Sequence, residues 1–202
     1  MKIVCAIAFG LISLMCCADD IEVFNAHSVL PNGKHVGASD AVAIVLVNEQ
    51  RMVFRLGATN RSFKVSTAIA GIGSKAGSDQ TPPGWHRVHS RFGGRAAIGQ
   101  VLKARRIVPG EIVPEAEWDS GDGDKVLSRL LWLEGLEVGV NKSKNGDIDS
   151  FLRHIYIHGT NQEQKLGTPA SHGCIRMGNR DIVELFEITK GTRNFYVYIL
   201  KQ

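Results

Sequence analysis

The 202-residue sequence predicts a mainly β, sandwich-like domain with one helix. Three features point there. Short runs rich in β-branched and apolar residues recur along the chain, beginning with Ala41-Val42-Ala43-Ile44-Val45-Leu46-Val47. Turn signals such as Pro31-Asn32-Gly33 and Thr81-Pro82-Pro83-Gly84 punctuate them. Only one segment, after residue 178, carries a clear helical period. Hydrophobic residues make up 44% and charged residues 22%, enough for a core and unlike a disordered tail. There is no internal repeat.

Residues 1–18 read as a secretory signal. Lys2 precedes the apolar run Ile3–Met15, and Cys16-Cys17-Ala18 leads abruptly into Asp19-Asp20. The apolar run is too short for a membrane span. Cleavage after Ala18 would place the protein in the periplasm or cell envelope, with no stable membrane span. Modification of Cys16 or Cys17 as a lipoprotein is the weaker alternative, since Met15 or Cys16 stands where a small residue is wanted. Loss of Lys2 would lower the net charge from +4 to +3. The basic residues are scattered, so no nucleic-acid surface is expected. Residues 19–39 are expected to form a short lead-in with room for one turn of helix, and residues 40–202 the main domain.

The strands follow in order. Ala41–Val47 and Met52–Leu56 make a hairpin around a polar break. Phe63–Ala70 is a third strand, ending in Gly71-Ile72-Gly73. That Gly-x-Gly has neither a following helix nor a third spaced glycine, so it reads as a bend and not a phosphate loop. Trp85–His89 is a strand, 92–99 a loop, and 98–108 a possible strand pair. Residues 126–134 fit a buried strand or a helix equally well. Phe151–His158 is read as one strand with period two, which puts Tyr156 and His158 on the same face. Asn179 is the expected N-cap of the helix, and Phe195–Leu200 is the last strand.

The chemistry lies in Ser171-His172-Gly173-Cys174-Ile175-Arg176. Cys5, Cys16 and Cys17 leave with the signal, so Cys174 is a lone thiol in an oxidising compartment. A free cysteine is usually an inert buried hydrophobe; its neighbours argue otherwise here. A thiol of ordinary pKa needs a base or cation nearby to act as a nucleophile. His172 is close in sequence, but extended backbone spaces such side chains apart. His158, at a strand end, can be returned by the loop and is the expected base, its ring oriented by the carbonyl of Gly159. The amides around Gly173 and Cys174 are candidate oxyanion donors, and Arg176 can hold a carboxylate. His158, His172 and Cys174 could instead bind zinc, but a structural site wants four ligands and no second cysteine remains. No metal or cofactor is expected. Trp85 and Trp132 read as core, and Arg129 and Arg153 as surface or packing residues.

These residues carry a resemblance. Ile155-Tyr156-Ile157-His158-Gly159-Thr160 followed by Ser171-His172-Gly173-Cys174-Ile175-Arg176-Met177 strongly resembles the catalytic domain of the bacterial L,D-transpeptidases. Thr81-Pro82-Pro83-Gly84 resembles that family's Thr-Pro-x-Gly turn, and the likeness extends over roughly 40–200. It implies a β-sandwich-type fold with Cys174 as nucleophile, His158 as base and the Gly159 carbonyl as third member. Tyr156, Ser171, His172, Gly173 and Arg176 would line the substrate site. The implied partner is a peptidoglycan stem peptide, attacked at the carbonyl of its third residue, a diamino acid. The resulting thioester would pass to an amine, making a 3–3 cross-link or attaching a protein. Water as acceptor, giving an L,D-carboxypeptidase, and a non-catalytic murein-binding domain are the alternatives. Oligomeric state is not legible. His86 stands where this family more often has Phe or Tyr.

Overall fold

A computed structural model of the chain describes residues 18–119 and 123–201. The expected leader lies outside these residues except for Ala18. Ten strands form one sheet: β1 (Ala41–Leu46), β2 (Arg51–Leu56), β3 (Thr59–Ser66), β4 (Gly84–Phe92), β5 (Gln100–Lys103), β6 (Arg106–Ile112), β7 (Leu127–Gly135), β8 (Tyr156–Gly159), β9 (Ile175–Met177) and β10 (Phe195–Leu200). Their order is β4-β10-β1-β2-β3-β9-β8-β7-β5-β6, with an added β4–β7 pairing. That pairing closes eight strands into a barrel-like sheet, and the β5–β6 hairpin projects from β7. Closure removes the free edges of those eight strands, and β6 is paired on one side only.

Alternation along the strands sorts the side chains. Ala43 and Val45 of β1, Met52 and Phe54 of β2, Leu131 and Leu133 of β7, and Ile157, Ile175 and Met177 share the main core. Helix α2 (Asn179–Ile188) adds Ile182, Leu185 and Phe186 to the same cluster. Its apolar residues recur at helical spacing, so one stripe faces the sheet. Even-numbered residues of β1 point outward, where Val42, Ile44 and Leu46 meet Phe24, Leu30 and Trp85. The lead-in supplies that cover. It forms a nine-residue helix, α1 (Ala18–Ala26), longer than the single turn expected, and Asp20 pairs with Arg51 at 2.7 Å.

One open reading is settled and three expectations change. Residues 127–134, left open between strand and helix by sequence, are strand within β7. Their centre is buried almost throughout, which alternation could not distinguish from a buried helix. The third strand lies earlier than expected, at Thr59–Ser66, because Gln50 takes over the chain beyond it: the Gln50 side chain accepts from Thr67 N–H at 2.7 Å and donates to Thr67 Oγ1 at 2.8 Å. Phe151–His154 is a turn and not the start of β8, with His154 at φ 56°. Asp149 holds that turn, its backbone carbonyl taking the Arg153 N–H at 2.9 Å and its side chain the Leu152 N–H at 3.0 Å. Gly178, not Asn179, is the N-cap of α2. Glu163 caps the helix instead, accepting from Asn179 N–H at 2.6 Å.

His86 is wholly buried, as a Phe or Tyr would be. Its Nδ1 lies 2.9 Å from the Gly84 carbonyl and its Nε2 2.9 Å from Ser150 Oγ. A carbonyl can only accept, so Nδ1 carries the proton and Nε2 accepts from the hydroxyl. Burial pushes the ring down from 6.5 to about 4, against the Gly84 bond. Protonation therefore favours the unfolded chain, and the contribution is complete above pH 6.5 and lost as pH falls towards 4. Urea unfolding measured at pH 7 and pH 4 should show about 3 kcal/mol of destabilisation from this residue. A His86→Gln variant should lose that share of the pH slope.

Candidate active site

β8 and β9 lie side by side and parallel, in the register Ile157↔Ile175, His158↔Arg176 and Gly159↔Met177. Since Ile157, Ile175 and Met177 point into the core, Tyr156, His158, Cys174 and Arg176 share the outer face. Parallel neighbours need a long connection, and residues 160–174 provide it. The crossover is tied to β3 and the residues after it. Ser66 Oγ donates to Thr168 O at 2.6 Å, and the Ala170 and Ser171 N–H groups reach Thr67 O at 2.9 and 3.0 Å.

His158 is buried, and its Nδ1 stands 2.8 Å from the Gly159 carbonyl. Nδ1 must donate, so Nε2 is left without the proton and can act as a base. Burial holds the imidazole below its ordinary 6.5; Arg176 acts in the same direction, while Asp124 and the Gly159 bond oppose. Gly159 is required by space. A Cβ there would strike Asn179 Oδ1 and lie 2.7 Å from the Leu127 carbonyl, because β8 runs directly beneath the start of α2.

Cys174 is half-buried. The Tyr156 N–H donates to Sγ at 3.4 Å, and Sγ lies 3.5 Å from the His154 carbonyl. Among the described residues it makes no hydrogen bond to His158. Burial pushes the thiol up to about 11; the Tyr156 N–H, Arg176 and Arg153 counteract this, and Asp124 adds to it. Burial thus drives both the thiol and the imidazole towards their neutral forms.

The turn before Cys174 is shaped by Ser171, whose Oγ donates to the Cys174 carbonyl at 2.5 Å and accepts from the Gly173 N–H at 3.2 Å. Gly173 adopts φ 122°, with Ile155 Cδ1 and Gln80 O within 3.4 Å of where a Cβ would stand. The Thr81-Pro82-Pro83-Gly84 turn reaches the same loop. Thr81 Oγ1 donates to Gly173 O at 3.0 Å and accepts from Ala68 N–H at 3.0 Å.

Arg176 is almost fully buried. It pairs with Asp124 at 2.5 Å and donates to Gln162 Oε1 at 3.1 Å, while its Nε has no partner among the described residues. His172 is largely exposed, with Nδ1 3.9 Å from Asp124. The structure thus gathers Tyr156, His158, Cys174 and Arg176 on one face and sets His172 at the rim. Arg129 packs as expected, over Phe186.

Three groups escaped the sequence reading. Asp124 sits in a polar stretch without periodicity. Arg153 looked like a strand residue, but the turn aims its guanidinium at Gly73 O (3.2 Å) and Gln80 O (2.7 Å), beside Gly173. Trp132 is half-buried on the outer face, paired in register with Tyr156 and stacked on Phe151 at 4.0 Å.

A model of the L,D-transpeptidase (YkuD) catalytic domain matches residues 40–197. YkuD of Bacillus licheniformis is 52% identical over 42 residues, which is 20% of this chain and 26% of that protein. YqjB of Bacillus subtilis is 55% identical over 38 residues, 18% of this chain and 22% of that protein. The matches thus span about a quarter of the length of these curated relatives. Among solved structures, an L,D-transpeptidase from Xylanimonas cellulosilytica aligns with a TM-score of 0.46 at 15% identity, covering 90% of this chain and 69% of that one. L,D-transpeptidase 3 from Mycobacterium tuberculosis, in complex with a faropenem-derived adduct, aligns with a TM-score of 0.46 at 13% identity, covering 80% and 60%. With Cys174, His158 and the helix that backs them all inside the matched segment, this chain belongs to the YkuD family of L,D-transpeptidase catalytic domains.

Proposed function

We propose that the chain is a peptidoglycan L,D-transpeptidase of the cell envelope that works through a Cys174 thioester. The observation that carries this reading is the His158 tautomer: Nδ1 is held by Gly159 O, leaving Nε2 basic on the face that bears Cys174.

The substrate is a tetrapeptide stem. As the carbonyl of its third residue approaches Sγ, Nε2 takes the thiol proton and sulfur attacks carbon. The thiol is too weak an acid to ionise at rest, so transfer is coupled to attack. The Gly173 N–H is already engaged by Ser171, which leaves the Cys174 N–H as oxyanion donor. The tetrahedral intermediate collapses as the imidazolium returns its proton to the departing amine of the terminal D-Ala. The thioester then passes to an amine on a second stem, with His158 again removing a proton. Arg153 and Arg176, the two cations acting on Cys174, favour the thiolate character that builds up on sulfur. Gly159 contributes a backbone carbonyl, and Tyr156, Ser171 and Gly173 shape the cleft. Water as acceptor would give the hydrolytic alternative from the same thioester.

Incubation of the protein with disaccharide tetrapeptide, followed by mass spectrometry, should yield dimers lacking one D-Ala; tripeptide alone would assign hydrolysis instead. Cys174→Ala should abolish both products, and retained turnover would remove the nucleophile assignment. His158→Gln should lower kcat by about 10²–10⁴, whereas His172→Gln, altering a rim residue, should act far less. In the free protein, iodoacetamide labelling of Cys174 should accelerate with pH up to about 11. A midpoint near the ordinary thiol value would contradict the burial described above. The acid limb of kcat/KM should lie below pH 6.5, because protonating His158 removes the base and its pKa is depressed.

A further inference from the structure

The tip of the β5–β6 hairpin carries a residue that the thioester chemistry does not use. Its two turn residues, Ala104 and Arg105, both have positive φ, 47° and 66°. Hairpin turns of this kind favour Asn-Gly, and a larger side chain is strained there. Strain kept in place of a relaxed turn points to a use for the side chain. Here it brings the Arg105 guanidinium over the outer face beside Cys174. Nη1 donates to the Tyr156 hydroxyl at 3.0 Å, and the guanidinium carbon lies 4.5 Å from the centre of the Trp132 ring. The backbone N–H of that same Tyr156 touches Cys174 Sγ. Arg105 therefore stands one tyrosine side chain away from the nucleophile.

The other arginines of the site are occupied. Arg176 holds Asp124 and Gln162. Arg153 spends its terminal nitrogens on Gly73 O, Gln80 O and Ser78 Oγ. Arg105 makes one hydrogen bond to a neutral hydroxyl, is half-buried, and has no carboxylate partner among the described residues. Its Nε and Nη2 remain available, and Trp132 holds the plane of the fork.

We propose that Arg105 binds a carboxylate at the far end of the side chain of the stem's third residue. The chain would then prefer a diamino dicarboxylic acid there to a simple diamino acid. This rests on the substrate reading given above. The position suits that carboxylate better than the terminal one. The leaving residue's carboxylate is one carbon removed from the scissile nitrogen and stays next to the sulfur. The cations that act on the thiol are Arg176 and Arg153, whereas Arg105 acts on the Tyr156 hydroxyl. A side-chain carboxylate is separated from the acyl carbon by a whole side chain, comparable to the tyrosine that spans sulfur and guanidinium. Two N–H groups in fork geometry match a carboxylate and not its amide.

The test compares tetrapeptide stems whose third residue is diaminopimelate, its side-chain amide, or lysine, with the wild-type protein, Arg105→Met and Arg105→Lys. Wild type should turn over the free-carboxylate stem with kcat/KM about tenfold or more above the other two. Arg105→Met should lose that preference through KM, with kcat little changed, and Arg105→Lys should keep part of it. A preference that survives in Arg105→Met overturns the proposal, as does an equal fall on all three stems, which would mark Arg105 as holding the hairpin only. Wild-type turnover of all three without discrimination overturns this proposal and leaves the substrate reading standing. Turnover of none overturns both.

Discussion

The site depends on the parallel contact between β8 and β9. Each strand is only a few residues long, and neither carries a reactive constellation alone. Joined in the register His158↔Arg176, they place the imidazole, the thiol and the guanidinium on one outer face, while Ile157, Ile175 and Met177 are buried behind them. A shift by one residue would turn the whole set inward. The register is held from three sides. The main core takes the inner residues, Ser66 of β3 and Thr67 just after it bind the crossover at Thr168 and Ser171, and α2 presses on Gly159.

Polar groups are matched around this contact with little slack. Asn179 Nδ2 donates to Thr160 O at the end of β8, and its Oδ1 accepts from Ser128 Oγ, which lies at the bulge where β7 shifts register against β8. Glu163, on the crossover, caps α2. The His158 ring is therefore oriented by a chain running from helix to bulge to strand, and only its last link, the Gly159 carbonyl, touches the imidazole. Replacing any of these groups would act on His158 through position, since buried polar groups left without partners force local rearrangement.

The electrostatics of the face are divided. Burial keeps the thiol protonated and the imidazole neutral, so the resting site is uncharged at its centre. Charge is kept at its border, in the Arg176–Asp124 pair, in Arg153 and in Arg105. Such a centre avoids the penalty of a buried ion pair at rest, while the guanidinium groups of Arg176 and Arg153 are held at its border by their own partners.

Much of this was legible in the sequence. Strand alternation marked β1, β2 and β10, and residue type and spacing singled out Cys174, with His158 sixteen residues upstream, as candidate nucleophile and base. The sequence could do this because hydrophobic period and reactive residue type are local properties. It could not reveal closure of the sheet through β4 and β7, since no local pattern records which strands meet. It could not separate strand from helix at 126–134, where burial on both faces erases the alternation. Asp124, Arg153 and Arg105 were invisible as site residues for the same reason: each comes from a loop or turn, and its position depends on hydrogen bonds to distant segments. Tertiary structure alone decided that Arg153 meets the Gly173 loop and that Arg105 lies over Trp132, because side-chain direction in a turn is set by backbone dihedrals that the surrounding fold imposes.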